Sequence, residues 1–158
     1  MTQEDKDLLL RDLCGRLSYG VKVEAKGLLK TIADDYDNRG VINAHVLNGL
    51  NLRDCFKTYS IDCMEKVPLF NRKGVCNIKP YLFPLSSMTI EEKYECPFEW
   101  SMIDAWIDGR IYLYEDEELD INEIINMFDW LNKKHFDYRG LIEMGLAKDA
   151  TGMNIYKK

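Results

Sequence analysis

The fold class is decided by the stretch DLLLRDLCGRLSYGVKVEAKG, residues 7–27, in which the spacing of the apolar residues changes. Apolar residues follow helical spacing in its first part: Leu9, Leu10, Leu13 and Leu17. From Val21 onward apolar and charged residues alternate as far as Lys26, which is typical of a strand. A helix followed directly by a strand indicates an α+β domain.

The N-terminal helix is predicted to span residues 2–14. Thr2 can cap it, and Glu4 and Asp5 fall in the first turn, where the helix dipole favours acidic groups. Gly15 follows the leucine stripe and is predicted to end the helix, because glycine commonly occupies the position just after a helix.

A second long helix is predicted over residues 121–134. Asp120 and Glu123 have capping-box spacing at its start, and two lysines close it where the dipole favours cations. The apolar residues of this segment fall on one face of a helix: Ile121, Ile124, Ile125, Phe128 and Leu131. That face is expected to pack against the rest of the domain.

Short β-rich runs lie between the two helices. VINAHVL (41–47) and FKTYSIDC (56–63) are separated by turn residues, and PYLFP (80–84) is held extended by its prolines. Thr89 and Glu92 have capping-box spacing and indicate another helix start. We therefore expect a small antiparallel sheet or partly open barrel with packed N-terminal and C-terminal helices.

The chain of 158 residues is expected to be a single domain, 1–158. Its composition excludes a disordered, collagen-like or coiled-coil protein, and no apolar run is long enough to cross a bilayer. The acidic N-terminus is unlike a secretory signal. Five cysteines without a CxxC pair indicate free thiols in a reducing compartment, so we expect a cytoplasmic protein.

Acidic residues are concentrated in one segment of the chain. Residues 91–120 contain eleven Asp or Glu and two Lys or Arg, a net charge of −9, whereas the whole chain has a net charge of −6. This segment is expected to form an acidic hairpin or edge element. Its potential disfavours direct nucleic-acid binding. The alternative is a solvated surface that serves solubility.

Aromatic residues alternate with these acids and suggest a surface for an unknown protein partner. Large aromatic side chains inside a charged rim resemble the anchors of many interfaces. The hypothesis names these residues: Trp100, Trp106, Tyr112, Tyr114, Glu115, Asp116, Glu117 and Glu118. The alternative is that the aromatic residues are core. The sequence gives no indication of the oligomeric state.

DAWIDGRIYLYE, residues 104–115, resembles a calcium-binding EF-hand loop in part. Asp104, Asp108 and Glu115 fall at ligand positions one, five and twelve. Trp106, at position three, offers no ligand, and the alternative is a hairpin that turns at Asp108-Gly109. Calcium is therefore a possible ligand here, and no other cofactor is expected.

Catalytic motifs are not evident in the sequence. The carboxylates near Glu115 might hold Mg²⁺, but the surrounding negative charge is wrong for a phosphate substrate. Because no GxGxxG, P-loop, GxSxG or HExxH pattern occurs, no residue is assigned a catalytic role. Whether the chain is an enzyme stays open, and a non-catalytic role is favoured.

HFDYRG, residues 135–140, is the densest polar and aromatic cluster. His135 can cap carbonyls of the preceding helix, Asp137 and Arg139 can pair or fix a turn, and Gly140 can relieve backbone strain. The functional alternative is an anion site in which His135 and Arg139 contact the ligand.

Three long blocks carry a family resemblance: residues 1–23, residues 78–89 (IKPYLFPLSSMT) and residues 129–156. Together they resemble a group of small uncharacterised proteins of phages, prophages and mobile elements in Bacteroides-type gut bacteria. Ser18 replaces a proline that is frequent in that group, and Lys134 replaces a histidine. The resemblance implies a mobile-element protein in the host cytoplasm, and it assigns no activity, cofactor or catalytic residue.

Overall fold

The computed structural model describes residues 1–25, 45–51, 58–61, 66–68, 78–97 and 121–156. These residues form helices and a mixed sheet, so the predicted α+β class is confirmed. The helices are α1 (Gln3–Arg16), α2 (Ile90–Glu95) and α3 (Ile121–Lys133). The strands are β1 (Lys22–Ala25), β2 (His45–Asn51), β3 (Thr58–Ile61), β4 (Lys66–Pro68), β5 (Ile78–Pro84), β6 (Phe136–Asp137) and β7 (Lys148–Asp149).

The described strands follow the order β4-β3-β2-β1-β5-β6, and β7 also pairs with β5. The pairs from β4 to β5 are antiparallel, as expected, whereas β6 and β7 each add a short parallel pairing to β5. No pairing joins β4 to β6 or β7 among these strands, so this part of the sheet is open rather than closed into a barrel.

The predicted cap at Thr2 and the predicted capping box at Thr89 are both present, and Thr2 also forms a capping box. The Thr2 hydroxyl accepts from the Asp5 N–H at 3.1 Å, and the Asp5 carboxylate accepts from the Thr2 N–H. That hydrogen bond lowers the pKa of Asp5. Thr89 and Glu92 form the same reciprocal arrangement at the start of α2. Each box satisfies two N–H groups that would otherwise lack helical partners. Asp120, the cap predicted for α3, lies outside the described residues.

The prediction that Gly15 ends α1 is wrong. The helix continues to Arg16 and a short 3-10 helix, Leu17–Tyr19, before the chain turns at Gly20, whose φ is 66°. A Cβ atom on Gly15 would lie 3.3 Å from Nδ2 of Asn132 in α3. Gly15 is therefore a close-approach residue between two helices, and Gly20 is the residue that needs a left-handed backbone.

The main core lies between α1 and the sheet. It consists of these buried residues: Leu9, Leu10, Leu13, Val21, Val23, Leu47, Ile78, Leu82, Leu141, Leu146 and Ala147. A second cluster joins α2 to α3 and β6, through Met88, Cys96, Met127, Leu131 and Phe136. Strand β5, which pairs with β1, β6 and β7, agrees with the prediction that 80–84 is extended.

Candidate functional site

The polar site begins inside α1, where Asp12 and Arg16 are both fully buried one turn apart. Arg16 donates from Nε to Oδ2 of Asp12 at 2.8 Å and from Nη2 to Oδ1 at 3.0 Å. Nη2 also donates to the carbonyl of Phe136 in β6 at 2.7 Å. The planar guanidinium can make these bonds together, which ties α1 to the strand that follows α3.

Arg139 approaches the same carboxylate from the C-terminal part of the chain. Its Nε lies 3.5 Å from Oδ1 of Asp12, and its guanidinium lies 4.8 Å from the centre of the Tyr138 ring. The Arg16 guanidinium lies 5.2 Å from the same ring. The Asp12 carboxylate and the Tyr138 ring thus each lie close to two guanidinium groups. The Tyr138 hydroxyl donates to the side-chain oxygen of Asn132.

Asp137 fixes the turn that follows β6. Its carboxylate accepts the N–H groups of Leu141 and Ile142 at 2.9 and 2.7 Å, and Gly140 within that turn has a φ of 71°. The turn-fixing alternative for Asp137 is therefore observed. Arg139 is directed instead toward Asp12. The predicted left-handed role of Gly140 is also observed.

His135 lies two residues after the end of α3 and has a φ of 61°, which is uncommon for a residue with a side chain. Its backbone N–H, rather than the imidazole, donates to the helix carbonyl of Asn132 at 3.2 Å. The imidazole stacks on Tyr156, with ring centres 3.9 Å apart and planes inclined by 19°. Burial lowers the pKa of His135 to about 4, and the nearby charges of Arg16 and Lys22 act in the same direction. The ring is therefore neutral at pH 7.

The Tyr156 hydroxyl joins the backbones of β1 and β5 by hydrogen bonds. Its hydroxyl accepts from the Lys22 N–H at 2.9 Å and donates to the Tyr81 carbonyl at 2.8 Å. The Lys22 ammonium donates to the carbonyl of Ile155, which holds the last described turn in place. Burial raises the pKa of Tyr156, so the hydroxyl keeps its proton. The C-terminal residues therefore belong to the folded core.

The structure thus brings His135 and Arg139 together with residues of α1, β1 and the C-terminal turn in what we call the buried polar cluster, whereas Asp137 binds the backbone of the adjacent turn. Sequence reasoning missed four further members: Asp12, Arg16, Lys22 and Tyr156. The i, i+4 spacing of Asp12 and Arg16 within an apolar stripe was the signal that might have found the first two. Three nitrogens of the cluster are buried and make no hydrogen bond in the described part of the chain: Arg16 Nη1, Arg139 Nε and His135 Nδ1.

The outer faces of α2 and α3 form a contrasting, apolar feature. Ile121 and Ile125 are 69% and 54% exposed, although the predicted apolar face of α3 includes both. Leu131 is buried as expected, and Met127, which was not in the predicted stripe, is buried with it. On α2, Ile90 is 65% and Tyr94 is 81% exposed. These four are the most exposed large apolar side chains among the described residues.

The residues of the predicted partner surface lie outside the described residues: Trp100, Trp106, Tyr112, Tyr114, Glu115, Asp116, Glu117 and Glu118. The calcium hypothesis at Asp104, Asp108 and Glu115 also lies there and stays a prediction. Within the described ranges, no group of three or more His, Cys, Asp or Glu side chains is placed to hold a metal ion. The helices of those ranges are too short or too polar to cross a membrane.

The chain was compared with protein-family models, curated proteins and solved structures, and none of them matches it.

Proposed function

We propose that the chain is a non-catalytic accessory protein of a phage or mobile element, which binds a host or phage protein in the bacterial cytoplasm. Contact is made through the acidic and aromatic residues of segment 91–120, which includes most of α2, and through α3, which follows that segment. Inhibition of a host enzyme or defence factor is a special case of this function. If the target normally holds nucleic acid, the acidic residues imitate its phosphates.

One observation carries the proposal. The four most exposed large apolar side chains of the described residues lie on α2 and α3, the two helices that border residues 98–120 in the chain. Exposed apolar side chains scattered singly are ordinary, whereas a concentration next to a segment of strong charge is typical of interaction surfaces. The most acidic segment of the chain and the most exposed apolar side chains of the described residues are therefore adjacent in sequence.

The test is capture of partners by the tagged protein from a nuclease-treated and an untreated lysate of Bacteroides-type cells, read by mass spectrometry. A stoichiometric protein that survives nuclease treatment is expected. The variant Glu117→Lys/Glu118→Lys should lose it. The matched control Asp7→Lys/Glu143→Lys changes the net charge equally at exposed positions elsewhere and should retain it. Equal retention by both variants would refute the role of the acidic segment.

A second candidate function is the binding of a small anion beside Arg139. The buried Nε of Arg139 makes no hydrogen bond among the described residues, and it shares a single carboxylate with Arg16. A thermal-shift titration with inorganic phosphate tests this candidate. A rise in melting temperature that disappears in Arg139→Met supports it, and an equal rise in both proteins would indicate only a general salt effect.

A further inference from the structure

The last described residues, 148–156, are attached to the rest of the fold through a small packing cluster of their own. Ala150 and Ile155 are buried there against Tyr81 of β5. In the described part of the chain, neither of the two larger core clusters includes a buried residue of this segment. Its backbone adds two parallel pairs with β5 and a hydrogen bond from the Ala150 N–H to the Leu82 carbonyl. A unit attached in this way can open while the larger clusters stay packed.

The contacts that close this unit converge on Tyr156. Its ring stacks on the imidazole of His135, with ring centres 3.9 Å apart. Its hydroxyl joins the backbones of β1 and β5 at Lys22 and Tyr81. The Lys22 ammonium also donates to the carbonyl of Ile155. The stack, the hydroxyl and the ammonium together hold the chain end against β1, β5 and the residue that precedes β6.

His135 is a strained member of this contact, and its surroundings disfavour a proton on its ring. Its φ of 61° is uncommon for a residue with a side chain, and its buried Nδ1 makes no hydrogen bond in the described ranges. Arg16 of α1 and Lys22 of β1 place positive charges near the imidazole. The carboxylate of the cluster, Asp12, is engaged by Arg16 and Arg139. The closed arrangement therefore disfavours an imidazolium.

We infer that the stack of His135 on Tyr156 is an acid-sensitive latch: when His135 takes up a proton from solvent, residues 148–156 detach from β5 while α1 and α3 stay packed. Detachment removes the Tyr156 ring from one face of the imidazole, so water can solvate the new charge. It also unpairs the edge of β5 that β7 covers, and an unpaired strand edge can pair with another extended segment. This device is independent of the proposed function.

The pH dependence of detachment follows from proton uptake. The pKa of His135 is about 4 in the closed chain, whereas the ordinary pKa of an imidazole is 6.5. Between these values the detached form binds more protons than the closed form, so acid favours detachment. Detachment should therefore become about 40-fold more favourable between about pH 6.5 and about pH 4.5.

The experiment measures amide hydrogen exchange of the full chain by NMR at these two pH values, with each rate divided by the intrinsic rate at that pH. The Ala150 N–H, which donates to the Leu82 carbonyl at 2.8 Å, reports detachment. The Leu13 N–H reports α1, in which Leu13 is fully buried. We expect the protection of Ala150 to fall about 40-fold at the lower pH and the protection of Leu13 to change much less.

Two histidine variants separate the imidazole from the acidic groups that also hold the segment. Acid acts on Glu24, which pairs with Lys148 at 3.2 Å, but that pair is present in both variants. His135→Asn should lose most of the fall at Ala150, and asparagine tolerates the left-handed backbone of this position. His45→Asn removes the other histidine of the chain and should keep the fall.

Four results would overturn the inference. Unchanged protection of Ala150 in the wild type would mean that no detachment occurs. An equal fall at Ala150 and Leu13 would mean that acid unfolds the chain as a whole. An equal fall in the wild type and His135→Asn would assign the effect to other groups. The fourth needs no variant: an imidazole signal of His135 that titrates near its ordinary value, with Ala150 still protected, would show that the closed chain accepts the proton.

Discussion

The buried polar cluster and the exposed isoleucines of α3 reverse the usual distribution of residues between core and surface. Arg16, Asp12 and His135 are polar and lie in the interior, whereas Ile121 and Ile125 are apolar and face solvent. The cluster has its polar atoms engaged largely with other parts of the same chain, through Phe136, Tyr138 and Tyr156. Ile121 and Ile125 bury much less of their surface against the rest of the chain than the residues of the cluster do.

This contrast between the cluster and the isoleucines indicates which residues are available for function. Side chains that link α1, β1, β5 and the C-terminal turns to one another hold the fold, however reactive their chemical types look in the sequence. Side chains that contribute little to packing are the ones that another molecule can contact without disrupting the fold. Four expected effects, in decreasing order of size, test this division.

The largest effect is expected for Arg16→Met. Removing the guanidinium leaves the buried Asp12 carboxylate with only the weaker contact to Arg139, and it leaves the Phe136 carbonyl with the Tyr138 N–H as its remaining donor among the described residues. Breaking a buried ion pair on one side costs about 3–5 kcal/mol of unfolding free energy, measured by urea titration. The control Asp12→Leu/Arg16→Met removes both charges and should recover part of that loss. A loss below about 1 kcal/mol in the single variant would contradict the structural role of the cluster.

The next effect is a dependence of stability on pH through His135. The pKa of about 4 in the folded chain lies below the ordinary value of 6.5, so between these pH values the unfolded chain binds more protons. The stabilisation is present above about pH 6.5 and is lost as the pH falls toward about 4, by about 3 kcal/mol at most. Tyr156 stays protonated throughout this range, because burial raises the pKa of its hydroxyl.

The matched control for this dependence is His135→Asn, because asparagine tolerates the left-handed backbone at this position. Carboxylates that titrate near pH 4 affect both proteins, so the difference between the two stability curves isolates the imidazole. Unfolding free energies at pH 7 and pH 4.5 should differ more in the wild type than in the variant. Parallel curves would mean that His135 is accessible to protons in the folded chain.

A smaller effect is expected for Tyr156→Phe. The ring, which stacks on His135, is kept, but the Lys22 N–H and the Tyr81 carbonyl lose the hydroxyl that joins them. Unpaired polar groups of this kind cost about 1–2 kcal/mol. Urea unfolding measures the loss, and amide exchange at Lys22 should become faster. An unchanged exchange rate would show that the hydroxyl does not protect this edge of β1.

The smallest effect on stability is expected for Ile121→Ser/Ile125→Ser. Because both side chains are already more than half exposed, the unfolding free energy should change by less than about 0.5 kcal/mol for each substitution. Leu131→Ala on the same helix is the control, and it should cost about 2–5 kcal/mol because Leu131 is buried. A loss of similar size in both proteins would mean that the isoleucines belong to the core.

Local signals in the sequence were enough to predict much of the fold. The cap at Thr2, the capping box at Thr89 and the prolines of β5 act within a few residues, so these two helix starts and the extended strand were predicted correctly. Gly15 was misassigned because its role depends on Asn132, which is far away in sequence. Helical periodicity places Ile125 and Leu131 on one broad face, but only the tertiary packing determines which of them is covered.

The candidate site was less predictable for the same reason. His135, Asp137 and Arg139 were recognised because they are close together in sequence. Arg16 and Tyr156 were not recognised, because each has a partner far away in sequence. Phe136 is 120 residues from Arg16, and Lys22 is 134 residues from Tyr156. The neutral state of His135 follows from burial and from the charges of Arg16 and Lys22, which only the folded chain brings near it.

The most direct test of the central claim is quantitative capture of a protein from a nuclease-treated lysate of Bacteroides-type cells by three proteins of verified stability. These are the wild type, Ile121→Ser/Ile125→Ser and Met144→Ser/Met153→Ser. The two variants each replace two exposed apolar side chains. We expect the wild type and the methionine variant to retain the same partner and the isoleucine variant to lose it. Full retention by the isoleucine variant would contradict the claim that the exposed isoleucines of α3 belong to the binding surface.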